Sequence, residues 1–540
     1  MAAFKTQIQA SSESFSKNRK AMLALTAQLR ALEKKAEAAS ASKAARFEKR
    51  GQLLPRERVR RLLDPGSPFL ELGNLTGYLL DHKDPEKSLP GASLIIGIGF
   101  VSGTRCMIIA TDSGINAGAM THGTLPKIFR AFDIALDNRL PFIHLVESAG
   151  ANLRDYRVEF FVRGGEVFAR LAMLSAAGIP VITVLHGSST AGGAYMPGMS
   201  DLVIAVKKQA AAFLAGPPLL MAATGEIATA EELGGAEMHA KVSGLVEYLA
   251  ENDAHALKVA RKAVKRLNWG QNWLEPGRKG FEEPKKSPDE LAGVVPVDYR
   301  QGYDLREVVY RLVDNSEFLD FKPDYGPATL CLEANIHGYP VGILGNNGPI
   351  DNAGATKATH FIQHCCQIGT PLLFLQNTTG YMVGTATEQG GMIKHGSKMI
   401  QAVTCATVPT LTVQIGASFG AGNYGMCGRG YHPNFLFLWP NARTGVMGAE
   451  QAATTMRIVA EMGAKRKGMT IPKEVLDAQS KQLAALFQSQ ESAFYTSGRG
   501  LDDGVIDPRD TRKVLAFVLA TLAEGQKANP NPLTFGVARP

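Results

Sequence analysis

The chain has 540 residues, a formal net charge of +8, 45% hydrophobic residues and 20% charged residues. This composition is that of a globular protein and excludes disorder over most of the chain. The sequence contains no apolar run long enough to span a membrane, no apolar core of a secretory signal and no basic block of the kind that binds nucleic acid. Glycine is in excess: its 56 residues are about 10% of the chain, against a usual value of about 7%, which favours tight turns and close backbone approaches.

The first predicted element is a helix over residues 18–49, a segment rich in Ala, Lys, Leu and Glu that contains neither Gly nor Pro. We assign residues 1–50 to an N-terminal helical arm. The start of the chain has no Arg-rich amphipathic stretch, so we expect a bacterial cytoplasmic protein, or one of the mitochondrial matrix if the source is eukaryotic. The six cysteines form no Cys-x-x-Cys pair and lie in apolar runs, which predicts reduced core thiols.

Three segments of the first half recur in the second half in the same order. The pairs are 56–64 with 306–314, 141–150 with 371–380, and 180–187 with 409–416, at spacings of 250, 230 and 229 residues. In the first pair, RERVRRLLD and REVVYRLVD share six residues. Several matches at nearly constant spacing predict that one unit has been duplicated.

Within each half, short apolar runs bounded by Gly or Pro alternate with helical stretches. In the first half we predict strands at 106–113, 142–148 and 181–187, and helices at 125–138 and 164–177. Strands that alternate with helices of this length are typical of β-α-β units, and continuous β-branched runs indicate strands buried on both faces. We also predict a β-hairpin around Ser102 and Gly103. The sequence therefore predicts an α/β fold made of two tandem, duplicated domains.

A proline-rich, charged segment separates the two halves and is predicted to be a linker. The predicted organisation is an arm at 1–50, a first domain at 51–274, a linker at 275–298 and a second domain at 299–540. Length alone suggests three to four domains, and the duplication reduces this expectation to two large domains.

Each half places a run of small residues directly after a predicted strand: GSSTAGGAY at 187–195 and GASFGAGNY at 416–424. Small residues at a helix start leave the backbone amides open as donors to a developing oxyanion. A single such turn is more often a packing feature, whereas two equivalent turns favour a function. Neither turn contains a phosphate-loop motif or a Gly-x-Ser-x-Gly nucleophile motif.

Side chains that could act as acid, base or metal ligand are few. Glu147 ends a predicted strand, but its equivalent in the second half is Asn377. Glu231 and Glu232 favour the solvated first turn of a helix. His360 and His364 have i, i+4 spacing on a predicted helix, but no third ligand is evident, so a packing role is favoured over a metal site.

Nine longer motifs carry a family resemblance. They are TAGGAYMPGMSD at 190–201, FLAGPP at 213–218, ATGE at 223–226, LGGA at 233–236, GNNG at 345–348, HFIQHCC at 360–366, FLQNTTGYMVG at 374–384, GAGNYGMCGR at 420–429 and WPNAR at 439–443. From about residue 54 to the C-terminal region, the chain resembles the carboxyltransferase (β) subunits of biotin-dependent acyl-CoA carboxylases. GAGNYGMCGR and NNG are similar to the 3-methylcrotonyl-CoA and geranyl-CoA branch, and less so to the propionyl-CoA and acetyl-CoA branch. The resemblance implies a pair of crotonase-like (ClpP/crotonase) domains.

The resemblance also implies a mechanism without a side-chain acid–base pair. In this family CO2 passes from carboxybiotin, carried on another subunit, to an acyl-CoA, and biotin itself acts as the base. The amides of Gly192 and Gly193 are implied to hold the enolate oxygen of the acyl thioester. Those of Ala421 and Gly422 are implied to hold the ureido oxygen of biotin.

Further contacts are carried over from the resemblance onto matching positions. The acyl pocket is expected to include Ala191, Ala194, Tyr195, Gly198 and Phe213, and the biotin site Phe419, Gly420, Asn423 and Tyr424. Gly198 stands where the methylcrotonyl branch often has alanine. The missing methyl group favours a longer, geranyl-like chain, with 3-methylcrotonyl-CoA as the other expected substrate.

The sequence has no Met-Lys-Met biotin attachment site and no ATP-binding segment. A biotin carboxylase/biotin-carrier α subunit is therefore expected as partner, and the resemblance implies a β6 core of an α6β6 complex. We expect no bound metal, because the cysteine spacing excludes the zinc-ribbon variant of the family. No nucleic-acid or membrane partner is expected.

Three alternatives stay open at this point. A carboxyltransferase for propionyl-CoA or acetyl-CoA would differ only in its substrate. A crotonase-type CoA hydratase or isomerase would use one oxyanion hole and a glutamate, and would need no biotin. In a non-catalytic assembly scaffold, the glycine turns would serve packing alone.

Overall fold

The computed structural model describes residues 4–148, 158–269 and 280–528, together with 530 and 532. Gly150 of the repeated motif and the start of the predicted linker, 275–279, lie outside the described residues. The chain divides into two compact units. The first unit comprises Arg30–Glu275, Gly498–Gly504 and Ala520–Pro540, and the second comprises Met1–Leu29, Pro276–Ser497 and Val505–Leu519.

Each unit thus collects segments from both ends of the chain. A repeat shows which segments are alike, but it carries no information on where the unrepeated ends pack. The domain boundaries predicted from the sequence stay a prediction.

The sheet of the first unit contains all three strands predicted for the first half. Its strands are β1 (Phe69–Leu72), β2 (Leu94–Val101), β3 (Thr104–Thr111), β4 (Phe142–Ser148), β5 (Val181–Thr190), β6 (Leu202–Val206), β7 (Ala211–Phe213) and β8 (Tyr248–Ala250). Among the described residues they form an eight-stranded sheet in the order β1-β2-β3-β4-β5-β6-β8, with β7 paired to β5. The pairs β1–β2 and β2–β3 are antiparallel, and the others are parallel.

The sheet of the second unit repeats this topology. Its strands are β9 (Phe318–Asp320), β10 (Thr329–Ile336), β11 (Tyr339–Asn346), β12 (Leu372–Thr378), β13 (Thr410–Phe419), β14 (Phe435–Leu438) and β15 (Arg443–Gly445). Each of β9–β15 has the direction of its counterpart in β1–β7 and pairs with the corresponding strands. The pairing of β6 with β8 has no equivalent among the described strands of the second sheet. The predicted duplication and the predicted α/β fold class are confirmed.

The helices precede, connect and follow the strands of the two sheets. They are α1 (Glu13–Ala41), α2 (Ala44–Lys49), α3 (Pro55–Leu62), α4 (Thr124–Asp137), α5 (Val158–Gly164), α6 (Glu166–Ala176), α7 (Tyr195–Gly198), α8 (Pro217–Thr224), α9 (Ala230–Gly234), α10 (Ala236–Met238), α11 (Asp253–Arg266), α12 (Leu291–Val294), α13 (Arg306–Val309), α14 (Asn352–Ile368), α15 (Thr385–Gln389), α16 (Met392–Thr404), α17 (Gly422–Gly425), α18 (Ala449–Arg466), α19 (Lys473–Gln488), α20 (Ala493–Gly498) and α21 (Thr511–Lys527).

The predicted N-terminal helix is present but interrupted between α1 and α2, at residues 42 and 43. α9 begins as predicted beside Glu231 and Glu232: the Thr229 hydroxyl caps it and Glu232 completes a capping box. The described part of the proline-rich segment is not an extended spacer, since α12 is buried within it. No helix of the described residues is long and apolar enough to cross a membrane.

The duplication extends to individual ion pairs. In the first unit the Asp64 carboxylate accepts hydrogen bonds from the amides of Ser102 (2.8 Å) and Gly103 (2.7 Å), and Arg261 donates to it at 2.7 Å. Both turn residues have positive φ, as the tight hairpin between β2 and β3 requires. In the second unit the Asp314 carboxylate accepts the corresponding hydrogen bonds, from the amides of His337 and Gly338 and from the Arg512 side chain. The predicted hairpin is confirmed, and each unit anchors it in the same way.

The core lies between the sheets and their helices. In the first unit every residue of β3 and β4 is buried, as continuous apolar strands of a parallel sheet should be. The prediction for the cysteines holds for Cys106, Cys331, Cys365 and Cys427, which are buried free thiols. It is wrong for Cys405, which is exposed, and Cys366 is half-buried. Cys366 lies within α14 and Cys405 caps the C-terminus of α16, at positions of these amphipathic helices that meet solvent.

One buried histidine distinguishes the two cores and gives a prediction about acid stability. Burial lowers the pKa of His144 on β4 to about 4. The unfolded imidazole takes up a proton near pH 6.5 while the folded one stays neutral, so stability is lost as the pH falls from about 6.5 towards 4, by about 2 kcal/mol at pH 5. The equivalent residue of the second unit is Phe374, which is fully buried.

We therefore expect His144→Phe to reduce the drop in melting temperature between pH 7.5 and pH 5. The exposed loop variant His82→Asn serves as the control and keeps the wild-type dependence. An unchanged drop in the His144→Phe protein would contradict the assignment.

Candidate functional site

The first glycine turn follows directly on β5, which runs three residues beyond its predicted end. A 3-10 turn spans Ala191–Ala194 and leads into α7. The first amides of a helical turn have no partner inside the turn, so they are donors without an intrahelical acceptor. Gly192 is exposed and Gly193 is buried just behind it, while Tyr195 is half-exposed.

The second turn has the same construction. β13 ends at Phe419, Gly420 adopts a positive φ of 55°, and α17 begins at Gly422. The left-handed conformation explains the glycine at 420, whose amide donates to the Gly445 carbonyl at 2.9 Å. Ala421 is exposed and Gly422 is buried, so the two turns show the same alternation. Tyr195 and Tyr424 are each 50% exposed, which extends the equivalence beyond the turns.

A residue from the neighbouring strand packs beneath each turn. Where β4 and β5 pair, the register shifts between Val146 and Ser148, and Glu147 lies against Gly187. A Cβ atom on Gly187 would be 2.6 Å from Glu147 Cγ, which is closer than such atoms approach. The equivalent shift between β12 and β13 brings Asn377 against Gly416. The glycine before each turn is therefore required by close packing.

In the first unit Glu147 belongs to a buried network of charged side chains. Arg58 donates to Glu147 Oε2 at 2.7 Å and to Asp253 Oδ2 at 2.9 Å, and His186 Nδ1 donates to Asp253 Oδ1 at 2.8 Å. Gln52 adds a hydrogen bond to the His186 carbonyl at 2.9 Å. The network links α3, β4, β5 and α11 directly below the first turn.

Two residues of the network have shifted pKa values. Burial, and then the charge of Arg58, lower the pKa of His186, so its ring is neutral. Burial alone would raise the pKa of Asp253, but the hydrogen bond from His186 and the charge of Arg58 outweigh it and hold that pKa at about 2. The Glu147 carboxylate is engaged by the buried guanidinium of Arg58.

The second unit has a neutral arrangement at the same place. Asn377 Oδ1 accepts a hydrogen bond from the Ala417 amide at 3.2 Å. Gln414, on the adjoining strand, donates to the Arg443 carbonyl at 2.9 Å. The two turns thus have a similar backbone conformation, but charged side chains lie beneath the first and neutral ones beneath the second.

The remaining residues predicted for the acyl pocket lie around the first turn. Phe213 ends β7 and pairs with Thr190, the last residue of β5. The Tyr195 ring stacks edge-on against Phe168 at 5.7 Å between centroids. A Cβ atom on Gly198 would meet no atom within 4 Å. The backbone of Ala191 and Ala194 forms the turn itself.

The residues predicted for biotin lie around the second turn. The Phe419 ring is buried, 1% exposed, and stacks edge-on against Tyr299. Asn423 Nδ2 donates to Ser418 Oγ at 2.8 Å. The Tyr424 ring lies 5.8 Å from that of Tyr431. The binding roles of these residues stay predictions.

Two groups of residues beneath the turns were missed by the sequence reasoning. The Arg58 network joins residues far apart in sequence, so no local pattern could reveal it. The other group is Ser189 and Ser418, which are fully buried and lie 229 residues apart, the spacing of the repeat. That shared spacing was the available signal.

No group of three or more potential metal ligands occurs within the ranges that the structure describes. The histidine pair singled out in the sequence packs against an aromatic ring: His360 contacts Phe321 edge-on and His364 stacks on it. His364 also lies 3.3 Å from Glu333 Oε1. The two histidines therefore pack on one side chain of the core.

Comparison with known proteins agrees with this geometry. The family model of the carboxyl transferase domain matches residues 46–534. A probable biotin-dependent acyl-coenzyme A carboxylase beta2 subunit from Mycobacterium tuberculosis is 49% identical over 496 residues, covering 92% of each chain. The methylcrotonoyl-CoA carboxylase beta chain of Arabidopsis thaliana is 44% identical over 521 residues, covering 95% of this chain and 88% of that one.

The fold has an equally similar solved relative. The crystal structure of the geranyl-CoA carboxylase beta subunit from P. aeruginosa superposes with a TM-score of 0.93 at 49% identity, covering 99% of this chain and all of that one. The resemblance noted in the sequence is confirmed over nearly the whole length. The chain belongs to the carboxyl transferase family of biotin-dependent acyl-CoA carboxylase β subunits.

Proposed function

We propose that this chain transfers CO2 from carboxybiotin, carried by a partner subunit, to the γ carbon of an α,β-unsaturated branched acyl-CoA. The observation that carries the proposal is the pair of equivalent turns, each with an exposed residue followed by a buried glycine at a helix start. Carboxyl transfer develops negative charge on two oxygens, and each turn supplies backbone donors for one of them.

Each turn holds one of the two oxygens. The amides of Gly192 and Gly193 hold the thioester oxygen of the acyl-CoA, where charge collects when the γ proton leaves. The amides of Ala421 and Gly422 hold the ureido oxygen of biotin. That oxygen is a hydrogen-bond acceptor, and the exposed Ala421 at the start of α17 offers it an amide with only a methyl group beside it. Biotin supplies the base and the CO2 when bound.

The state of Glu147 supports this reaction over a crotonase-type hydration or isomerisation. Such a reaction needs a carboxyl group free to exchange protons with the substrate. Glu147 instead accepts a 2.7 Å hydrogen bond from buried Arg58 and is only 8% exposed. With biotin as the base, no side-chain acid is required at either turn.

We propose geranyl-CoA or 3-methylcrotonyl-CoA as the substrate. The relatives named above include a methylcrotonoyl-CoA carboxylase and a geranyl-CoA carboxylase. Gly198 is exposed and a Cβ there would meet no atom within 4 Å, which leaves room for a longer chain.

The proposed partner is an α subunit that carries biotin carboxylase and biotin-carrier domains, in an assembly built on a β6 core as α6β6. We place the complex in a bacterial cytoplasm, or in the mitochondrial matrix if the source is eukaryotic. The partner supplies biotin on its own chain.

The reaction is tested by purifying the chain with its co-expressed biotin-carrying partner. We expect ATP-dependent fixation of labelled bicarbonate onto geranyl-CoA or 3-methylcrotonyl-CoA, with acetyl-CoA and propionyl-CoA as comparison substrates. Preference for the latter pair would refute the branch, and fixation on none of the four would refute the carboxyltransferase. Hydration or isomerisation without biotin would favour the crotonase-type alternative.

Ala421→Pro removes the N–H donor and keeps the φ of the turn. Ala421 has φ of −68°, close to the angle that proline imposes, and the ring Cδ takes the place of the amide hydrogen. We expect kcat to fall about 100-fold, as when one oxyanion donor is lost. Ala421→Ser keeps the amide and is the control. If the proline variant has the wild-type melting temperature and full activity, the result would support the alternative in which the turns serve packing alone in a non-catalytic scaffold.

Gly198→Ala tests the acyl pocket. Filling the space with one methyl group should lower kcat/KM for geranyl-CoA by about tenfold relative to 3-methylcrotonyl-CoA. Gly463→Ala makes the same change in α18, also with no atom within 4 Å of the new Cβ, and should leave the ratio unaltered. An unchanged ratio in Gly198→Ala would remove this residue from the pocket.

A further inference from the structure

We infer that the buried serines Ser189 and Ser418 are positioning residues that set the geometry of the two glycine turns. The inference rests on the proposed function, in which these turns hold the two oxyanions. Both serines are fully buried, and each is the penultimate residue of its strand. Each is the first paired residue after the register shift, Ser189 opposite Ser148 and Ser418 opposite Thr378.

Ser189 acts on the backbone of its turn directly. Its hydroxyl donates to the Gly193 carbonyl at 2.8 Å. In a trans peptide the carbonyl and the following N–H point in opposite directions. Holding the Gly193 carbonyl towards the strand therefore fixes the plane of the Gly193–Ala194 peptide. The Gly193 N–H, one of the two proposed donors, belongs to the preceding peptide, which shares the Gly193 Cα with that plane.

Ser418 reaches its turn through a side chain. Its oxygen accepts a hydrogen bond from Asn423 Nδ2 at 2.8 Å. The backbone N–H of Asn423 donates to the Gly420 carbonyl at 3.1 Å, and the backbone carbonyl of Asn423 accepts from the Gly428 N–H at 2.8 Å. Asn423 thus closes the turn around Ala421 and Gly422, and Ser418 holds Asn423 in place.

Both serines constrain the direction of the backbone amides in their turns. Amide donors lower the energy of a developing oxyanion only if they are already aimed at it, since reorganisation would offset the gain. A glycine-rich turn has more backbone freedom than any other, so it needs an external constraint. A hydroxyl from the rigid strand below supplies that constraint without adding a side chain at the reacting face.

The test compares Ser189→Ala and Ser418→Ala in the complex with the biotin-carrying partner. We expect Ser189→Ala to lower kcat for acyl-CoA carboxylation about fivefold with KM little changed, from the loss of one buried hydrogen bond. ATP hydrolysis without acyl-CoA reports on breakdown of carboxybiotin and should stay at the wild-type rate. Ser418→Ala should lower both rates.

A second readout does not depend on activity. Amide hydrogen exchange followed by mass spectrometry should become faster in residues 190–196 of Ser189→Ala and in residues 419–425 of Ser418→Ala. The control is Ser113→Ala, a buried serine of the described chain whose hydroxyl has no hydrogen-bond partner. It should change neither the exchange nor the rates.

Two outcomes would overturn the inference: wild-type exchange at both turns, or Ser189→Ala slowing both reactions equally, as a general loss of structure would. If the wild-type complex carboxylates none of the acyl-CoAs, the proposed function fails. The exchange comparison still decides whether the serines constrain the turns.

Discussion

In both units the parallel pairing of the two central strands shifts register before the strands end. The shift falls between Val146 and Ser148 in the first unit and between Gln376 and Thr378 in the second. Beyond it, β5 and β13 each leave room for a shorter strand, β7 or β15, to pair with their last residues. The glycine turn, the short helix after it and the half-exposed tyrosine all depend on where this shift places the strand end.

In the proposed function, duplication lets one fold serve a reaction with two oxyanions. A backbone amide is available wherever a helical turn starts after a strand, so two copies of the unit provide two sets of donors without a catalytic side chain. The residues beneath the turns differ. The first unit has a charged network around Arg58, and the second has the amide of Asn377.

The divergence has a physical consequence for the first turn. Arg58 is the one buried cation between two carboxylates, so losing it would leave both of them without a cationic partner in a low dielectric. This ties β4, β5 and α11 into one rigid support. The neutral support of the second unit relies on hydrogen bonds of strand backbone and amide side chains, which tolerate substitution more readily.

The duplication, the alternation of strands and helices, the β2–β3 hairpin and the two glycine turns are predictable from the amino-acid sequence. The signals are apolar periodicity, turn residues, and motifs repeated at nearly constant spacing. Other features are visible only in the folded molecule: both chain ends divide between the units, Phe213 pairs beside Thr190, and Arg58, Glu147, His186 and Asp253 form one network. Such contacts join positions up to about 200 residues apart, and their formation depends on how packed elements meet, which no local pattern encodes.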